Sequence, residues 1–130
     1  MAGDRKRILV VDDEPTICRA LQIALGRAGF DVVTTESGEG ALAYLRAERF
    51  DCLVVDLRIP DLRGDVVFEL AASLQPHLRR QTLFITGDTT ARGNELVEAC
   101  GCPLVSKPFD LRELVTLITR LMPMAHDASA

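Results

Sequence analysis

Five short apolar runs rich in β-branched residues alternate with helical segments between residues 7 and 121, joined by short loops. Few architectures accept that rhythm. The first run, Arg7 to Val11, stops at Asp12-Asp13; Pro15 then suits a first helical turn, where its missing N–H costs nothing. Ile17, Leu21, Ala24, Leu25 and Ala28 recur at helical spacing up to Gly29, which ends helix 1. Asp31 to Thr35 is the second strand candidate, and Ser37-Gly38 opens helix 2 with Ala41, Leu42 and Leu45 on one face. Cys52 to Val55 is apolar throughout and ends at Asp56; runs apolar on both faces suit parallel strands covered by helices. A loop with Pro60 and Gly64 leads into helix 3, where Val67, Leu70, Ala71 and Leu74 fall at helical spacing. Thr82 to Ile85 is strand 4, closed by Thr86-Gly87-Asp88. Thr89 to Cys100 is a weaker helix 4, interrupted by Gly93 and Asn94, and Leu104-Val105 is a short strand 5 running into Ser106-Lys107-Pro108. Asp110 caps helix 5, which carries Leu111, Leu114, Val115, Ile118 and Leu121. The pattern predicts an α/β fold, a doubly wound parallel sheet of five strands with helices on both faces.

At 130 residues the chain has the length of one domain, read as 1–130 with a core of about 6–122 and a tail or linker over 123–130. Acidic residues exceed basic ones by 19 to 15, for a net charge of −4, so no general attraction for nucleic acid is expected. The one basic run, Arg5-Lys6-Arg7, is short and reads as a solvated lead-in to strand 1. Cys18, Cys52, Cys100 and Cys102 form no C-x-x-C pair, which gives a zinc site little support and suits thiols of a reducing compartment. No stretch has signal-peptide or membrane-span length, so the expected location is cytoplasmic, with no membrane partner.

Chemistry-bearing residues gather where strands end. Asp12 and Asp13 close strand 1, Asp56 closes strand 3, Thr86 closes strand 4, and Lys107 follows strand 5. Ligands of open α/β sheets sit beyond the carboxyl ends of strands, where strand order reverses. In a sheet of order 2-1-3-4-5 that point lies between strands 1 and 3, bringing three carboxylates together beside a hydroxyl and an ammonium. Three clustered carboxylates repel one another, and a hard divalent cation removes the conflict. Oxygen-only ligands favour Mg²⁺, which keeps several waters and commonly binds alongside phosphate. One ionised carboxylate can then act as nucleophile, while the metal, Lys107 and the Thr86 hydroxyl orient the phosphoryl oxygens.

Four motifs in order carry a family resemblance: Val10-Val11-Asp12-Asp13-Glu14-Pro15, Asp56-Leu57-Arg58-Ile59-Pro60-Asp61-Leu62-Arg63-Gly64, Ile85-Thr86-Gly87 and Lys107-Pro108-Phe109. Over roughly residues 6 to 122 the chain resembles a response-regulator receiver domain of two-component signalling. The resemblance implies the flavodoxin-like (βα)5 receiver fold with strand order 2-1-3-4-5. It implies that Asp56 is the phosphoacceptor, fed by a histidine kinase or a histidine phosphotransfer protein. Asp12, Asp13 and Asp56 would hold Mg²⁺, Asp13 directly and Asp12 through water, with the backbone carbonyl of Arg58 as a further ligand. Thr86 and Lys107 would bind the phosphoryl group, and a cis peptide would precede Pro108. Phosphorylation would pull Thr86 toward the site and shift the helix 4–strand 5–helix 5 face, where a downstream partner binds and homodimers can form.

Some residues depart from the family pattern. Leu104 stands where many receivers carry a switching Phe or Tyr, so it can repack but has no large ring to swing. Gly87 follows Thr86 where alanine is common, and Arg58 and Asp88 occupy rim positions where opposite charges could pair. A Mg²⁺-dependent phosphatase with an aspartyl-phosphate intermediate is a weaker alternative, because the acid wanted two residues after the nucleophile is Arg58. A flavodoxin-type cofactor module would need a Gly/Ser/Thr-rich phosphate loop after strand 1, and Asp-Asp-Glu-Pro stands there instead. A pseudo-receiver that docks partners without phosphorylation is the remaining alternative.

Overall fold

The structure is a computed structural model in which residues 5–87 and 91–123 are described, Ala91 and Arg92 by their helical backbone only. Asp88 and the tail from residue 124 therefore lie outside the described residues, and with them the expected Arg58–Asp88 pairing.

The elements run β1 (Arg7–Val11), α1 (Pro15–Arg27), β2 (Asp31–Thr35), α2 (Gly38–Ala47), β3 (Cys52–Asp56), α3 (Gly64–Leu74), β4 (Thr82–Thr86), α4 (Ala91–Cys100), β5 (Leu104–Ser106) and α5 (Leu111–Leu121). All strand pairs are parallel, in the order β2-β1-β3-β4-β5. Strand alternation divides the core into two layers. Leu9, Val11, Leu53, Val55 and Phe84 face one side with Val67, Phe68 and Ala71 of α3 and Ala41, Leu42 and Leu45 of α2. Ile8, Val10, Cys52, Val54, Leu83 and Ile85 face the other, against Leu21 and Leu25 of α1 and Leu114 and Ile118 of α5.

The register places strand ends level with one another. Val11 lies opposite Val55, Asp56 opposite Ile85, and Thr86 opposite Ser106, so the residues that follow or end these strands emerge along one rim. β3, β4 and β5 each reach one residue beyond their apolar runs, ending on Asp56, Thr86 and Ser106.

Local chemistry explains the helix ends. Pro15 occupies the first turn of α1, and Gly29, at φ +100°, turns the chain beyond its end. The Ser37 hydroxyl caps α2 by accepting from the Gly40 amide at 3.0 Å. Asp61, from the loop after β3, accepts from the Gly38 and Glu39 amides at 2.9 and 3.0 Å. That carboxylate suits the positive end of the helix and ties the β3–α3 loop to α2.

α3 differs from its expected face. Val67 and Ala71 are buried as the spacing predicts, but Leu70 and Leu74 stay 41% and 44% exposed while Phe68 and Ala72 take the core. The helix turns to seat the Phe68 ring against Phe84, with centroids 5.6 Å apart. A 3-10 turn over Pro76–Arg80, which the pattern does not predict, follows α3.

Gln75, just before that turn, joins three segments. Its side-chain oxygen accepts from the Phe50 amide at 2.9 Å, and its amide group donates to the Leu45 and Glu48 carbonyls at 2.9 and 2.7 Å. Gln75→Leu strands these buried groups and is expected to cost about 2–3 kcal/mol. A lowered urea midpoint with an unchanged denaturant slope is the expected readout.

Asp51 pins the other end of the sheet. Its carboxylate accepts from the Arg7 amide at 2.8 Å and from the Arg49 guanidinium, while its own amide donates to the Arg7 carbonyl at 2.7 Å. Burial pushes its carboxyl up, but the Arg7 amide and Arg49 outweigh that and hold it below its ordinary value. A depressed native pKa adds stability above the unfolded value, and that stability is lost as pH falls through the native value. Acid titration of unfolding should therefore show a loss below about pH 4 that is reduced in Asp51→Asn.

Candidate functional site

The rim where β1, β3, β4 and β5 end gathers the residues singled out from the sequence. Asp12 leaves β1 fully buried, its amide donating to the Thr35 carbonyl at 3.1 Å and its Oδ1 accepting from the Glu14 amide at 2.8 Å. Asp56 ends β3 at 3% exposure, and its Oδ1 accepts from the Arg58 amide at 2.9 Å. Asp13 is exposed beside them. One carboxylate oxygen from each of Asp12, Asp13 and Asp56 lies within 4.8 Å of the others, the only such grouping among the described residues.

Lys107 reaches into this cluster from the loop after β5. Its amide donates to the Thr86 carbonyl at 2.8 Å, and the peptide to Pro108 is cis, as the resemblance implies. The ammonium donates to Asp56 Oδ2 at 2.7 Å and Glu14 Oε1 at 2.6 Å, and lies 2.9 Å from Asp12 Oδ2. Burial works against its charge, but hydrogen bonds to Asp56 and Glu14 and the nearby Asp12 carboxylate outweigh it and hold the pKa above that of an ordinary lysine.

Asp12 Oδ2 is nevertheless buried without an aligned hydrogen bond, because its contact with Lys107 is an ion pair of poor direction. Burial pushes the Asp12 carboxyl above its ordinary value; the Glu14 amide and Lys107 oppose this, and Asp56 adds to it. A buried carboxylate oxygen with no directed donor, facing two further carboxylates, suits a hard cation bound through oxygen. The residues therefore fit Mg²⁺.

Thr86 is 1% exposed at the end of β4, beside Ser106 and across from the Asp56 strand. Leu104 is half-buried and packs against the layer that contains α2 and α3. Two neighbours of the site lie inside the motifs, but the sequence gives neither a role. Gly64 closes the loop after Asp56 by donating to the Leu57 carbonyl at 2.9 Å, and a Cβ there would meet the Asp56 carbonyl oxygen at 2.3 Å. Glu14 lies inside the first motif, but only the fold brings its carboxylate to Lys107, 93 residues away.

All four cysteines are free, and Cys18, whose thiol donates to the Asp12 carbonyl at 3.1 Å, is pushed by burial to about 11. No described helix is long and apolar enough to cross a membrane.

Known proteins share both the sequence and the site-bearing fold. The chain is 38% identical over 130 residues to the alkaline phosphatase synthesis transcriptional regulatory protein PhoP of Bacillus subtilis, covering 95% of this chain and 51% of that protein. It is 33% identical over 118 residues to the response regulator receiver protein CpdR of Brucella abortus, covering 90% of this chain and 97% of CpdR. The chain thus spans about half the length of several relatives that it matches, PhoP among them, and nearly all of CpdR. Among solved structures, a CheY-like receiver domain of Methanospirillum hungatei superposes with a TM-score of 0.83 at 26% identity, covering 90% of this chain and 93% of that one. The response regulator TrrA of Thermotoga maritima, solved in complex with Mg²⁺-BeF, superposes with a TM-score of 0.79 at 29% identity, covering 90% and 99%. Residues 8–119 match the family described as the response regulator receiver domain, and the chain belongs to that family.

Proposed function

We propose that this receiver domain takes a phosphoryl group onto Asp56 in a Mg²⁺-dependent reaction and works as a signalling switch rather than as an enzyme with a substrate of its own. The observation that carries the proposal is the Lys107 ammonium held 2.7 Å from a buried Asp56 that shares its rim with two further carboxylates. The TrrA complex with Mg²⁺-BeF supports the choice of metal.

Asp12, Asp13 and Asp56 would hold Mg²⁺, together with the backbone carbonyl of Arg58. When bound, the metal neutralises charge on the cluster and on the phosphoryl oxygens. Asp56 supplies the nucleophile: one carboxylate oxygen forms the O–P bond as the donor's N–P or O–P bond breaks, and the leaving group departs with that bonding pair. A histidine kinase or histidine phosphotransfer protein is the donor, and its imidazole departs. The Arg58 amide holds Asp56 Oδ1 in place. Lys107 transfers its donors from Asp56 to a phosphoryl oxygen, and the Thr86 hydroxyl takes another. Burial of Asp56 and Thr86 keeps water from competing for the same positions.

The output follows from what Thr86 pulls with it. Its carbonyl is bonded to the Lys107 amide, and β4 pairs with β5, so a shift at Thr86 passes to the α4–β5–α5 face. A downstream partner, or a second copy of the chain, would bind there, and the site of action is cytoplasmic. Residues 1–130 form one receiver domain with a core of about 6–122 and a tail or linker over 123–130, with no direct contact to nucleic acid.

Incubation with acetyl phosphate and Mg²⁺ is expected to add one phosphoryl group to the intact-protein mass. Chelation of the metal with EDTA is expected to abolish the gain, because the three carboxylates then repel the incoming anion. Labelling that survives EDTA would remove the metal from the reading.

A further inference from the structure

We infer that Glu14 is a positioning residue that competes with an incoming phosphoryl group for the Lys107 ammonium until a donor displaces it, an inference resting on the reading of Asp56 as acceptor. Three carboxylates surround the Lys107 ammonium, at 2.7 Å from Asp56, 2.6 Å from Glu14 and 2.9 Å from Asp12. They are not equivalent. The side chains of Asp12 and Asp56 are 0% and 5% exposed and fixed by strand ends and backbone amides, whereas that of Glu14 is 53% exposed. Glu14 also makes no side-chain cap at the start of α1, although it occupies the cap position. Its carboxylate is therefore spent on Lys107 rather than on capping its own helix.

The consequence lies in competition. A phosphoryl donor brings anionic oxygens that need the same ammonium, and the partner that yields most readily is the solvated one on the longest side chain. Glu14 also places a negative charge at the mouth through which that anion must come. Both effects raise the donor concentration needed, without touching the bond-making atoms. Once the donor is seated and Glu14 released, the arrangement of Asp56, Lys107 and Thr86 is the same with or without it. Glu14 should thus act on KM and leave kcat alone.

The test compares wild type with Glu14→Gln, which keeps the shape and removes the charge. With Mg²⁺ saturating and acetyl phosphate varied, KM of the variant should fall about two- to fivefold while kcat stays within about twofold. The difference should shrink at high salt. An unchanged KM, or a fall in kcat at constant KM, would overturn the inference. NMR of the metal-free full chain reads the contact without any reaction. The Lys107 Nζ resonance should shift, and its ammonium protons should exchange faster with water, in Glu14→Gln; identical spectra at that nitrogen would overturn the inference as well. If wild type takes no phosphoryl group, the proposed function fails, and the NMR comparison still decides whether Glu14 holds Lys107.

Discussion

Asp56→Asn is expected to give a folded protein that takes up no phosphoryl group from acetyl phosphate and Mg²⁺. The amide oxygen that replaces the carboxylate is a poor nucleophile, and the loss of charge weakens the metal site at the same time. Folding should survive. Asparagine keeps the volume, its side-chain oxygen can still accept from the Arg58 amide, and Lys107 keeps Glu14 and Asp12 as partners. Removing one of three mutually repelling carboxylates even offsets part of the lost ion pair, so stability should change by no more than about 1 kcal/mol. Rapid, full labelling of Asp56→Asn would move the acceptor to Asp12 or Asp13 and overturn the assignment.

Gly64→Ala should be the most damaging small change outside the carboxylates. Gly64 starts α3 directly behind β3, and its amide closes the loop on the Leu57 carbonyl. A methyl group there would lie 2.3 Å from the Asp56 carbonyl oxygen, 2.8 Å from Leu57 Cα and 3.0 Å from the Asp56 carbonyl carbon. All three are backbone atoms, so no side chain can turn aside to make room. Either α3 retreats from the sheet or the end of β3 moves, at a cost of about 2–3 kcal/mol and a fall in Tm of roughly 10 °C. The phosphorylation rate should fall with it, since Asp56 is what gets pushed. Gly87→Ala is the matching control, because a Cβ there meets nothing within 4 Å. Thermal unfolding of the two variants side by side checks the argument, and a Gly64→Ala protein as stable as Gly87→Ala would refute it.

The parts of this molecule that were readable in advance share a physical reason. Val10, Val54 and Ile85 sit in runs apolar on both faces, and a buried parallel strand imposes that pattern on sequence directly. Asp12, Asp56, Thr86 and Lys107 were readable because each stands immediately beyond or at the end of such a run. What could not be read depends on contacts between distant segments. Gln75 answers to the amide of Phe50 and Asp51 to that of Arg7, and a lone glutamine or aspartate in a loop does not announce a backbone partner 25 or 44 residues away. α3 carries two overlapping apolar stripes, and which one faced the core was decided by the Phe68–Phe84 contact rather than by spacing. Asp61 lies within the second motif, but nothing in the motif shows that it caps a helix that precedes it in the chain. Glu14 stood in the open beside the acidic pair, with its partner supplied only by the fold.

The most direct test of the central claim is to locate the phosphoryl group itself. The wild-type chain would be phosphorylated with acetyl phosphate and Mg²⁺, reduced with borohydride to convert the acyl phosphate to an alcohol, digested, and sequenced by mass spectrometry. Homoserine at position 56, and at no other aspartate, is the predicted result. Reduction at Asp12, Asp13 or any other carboxylate, with Asp56 unmodified, would contradict the account.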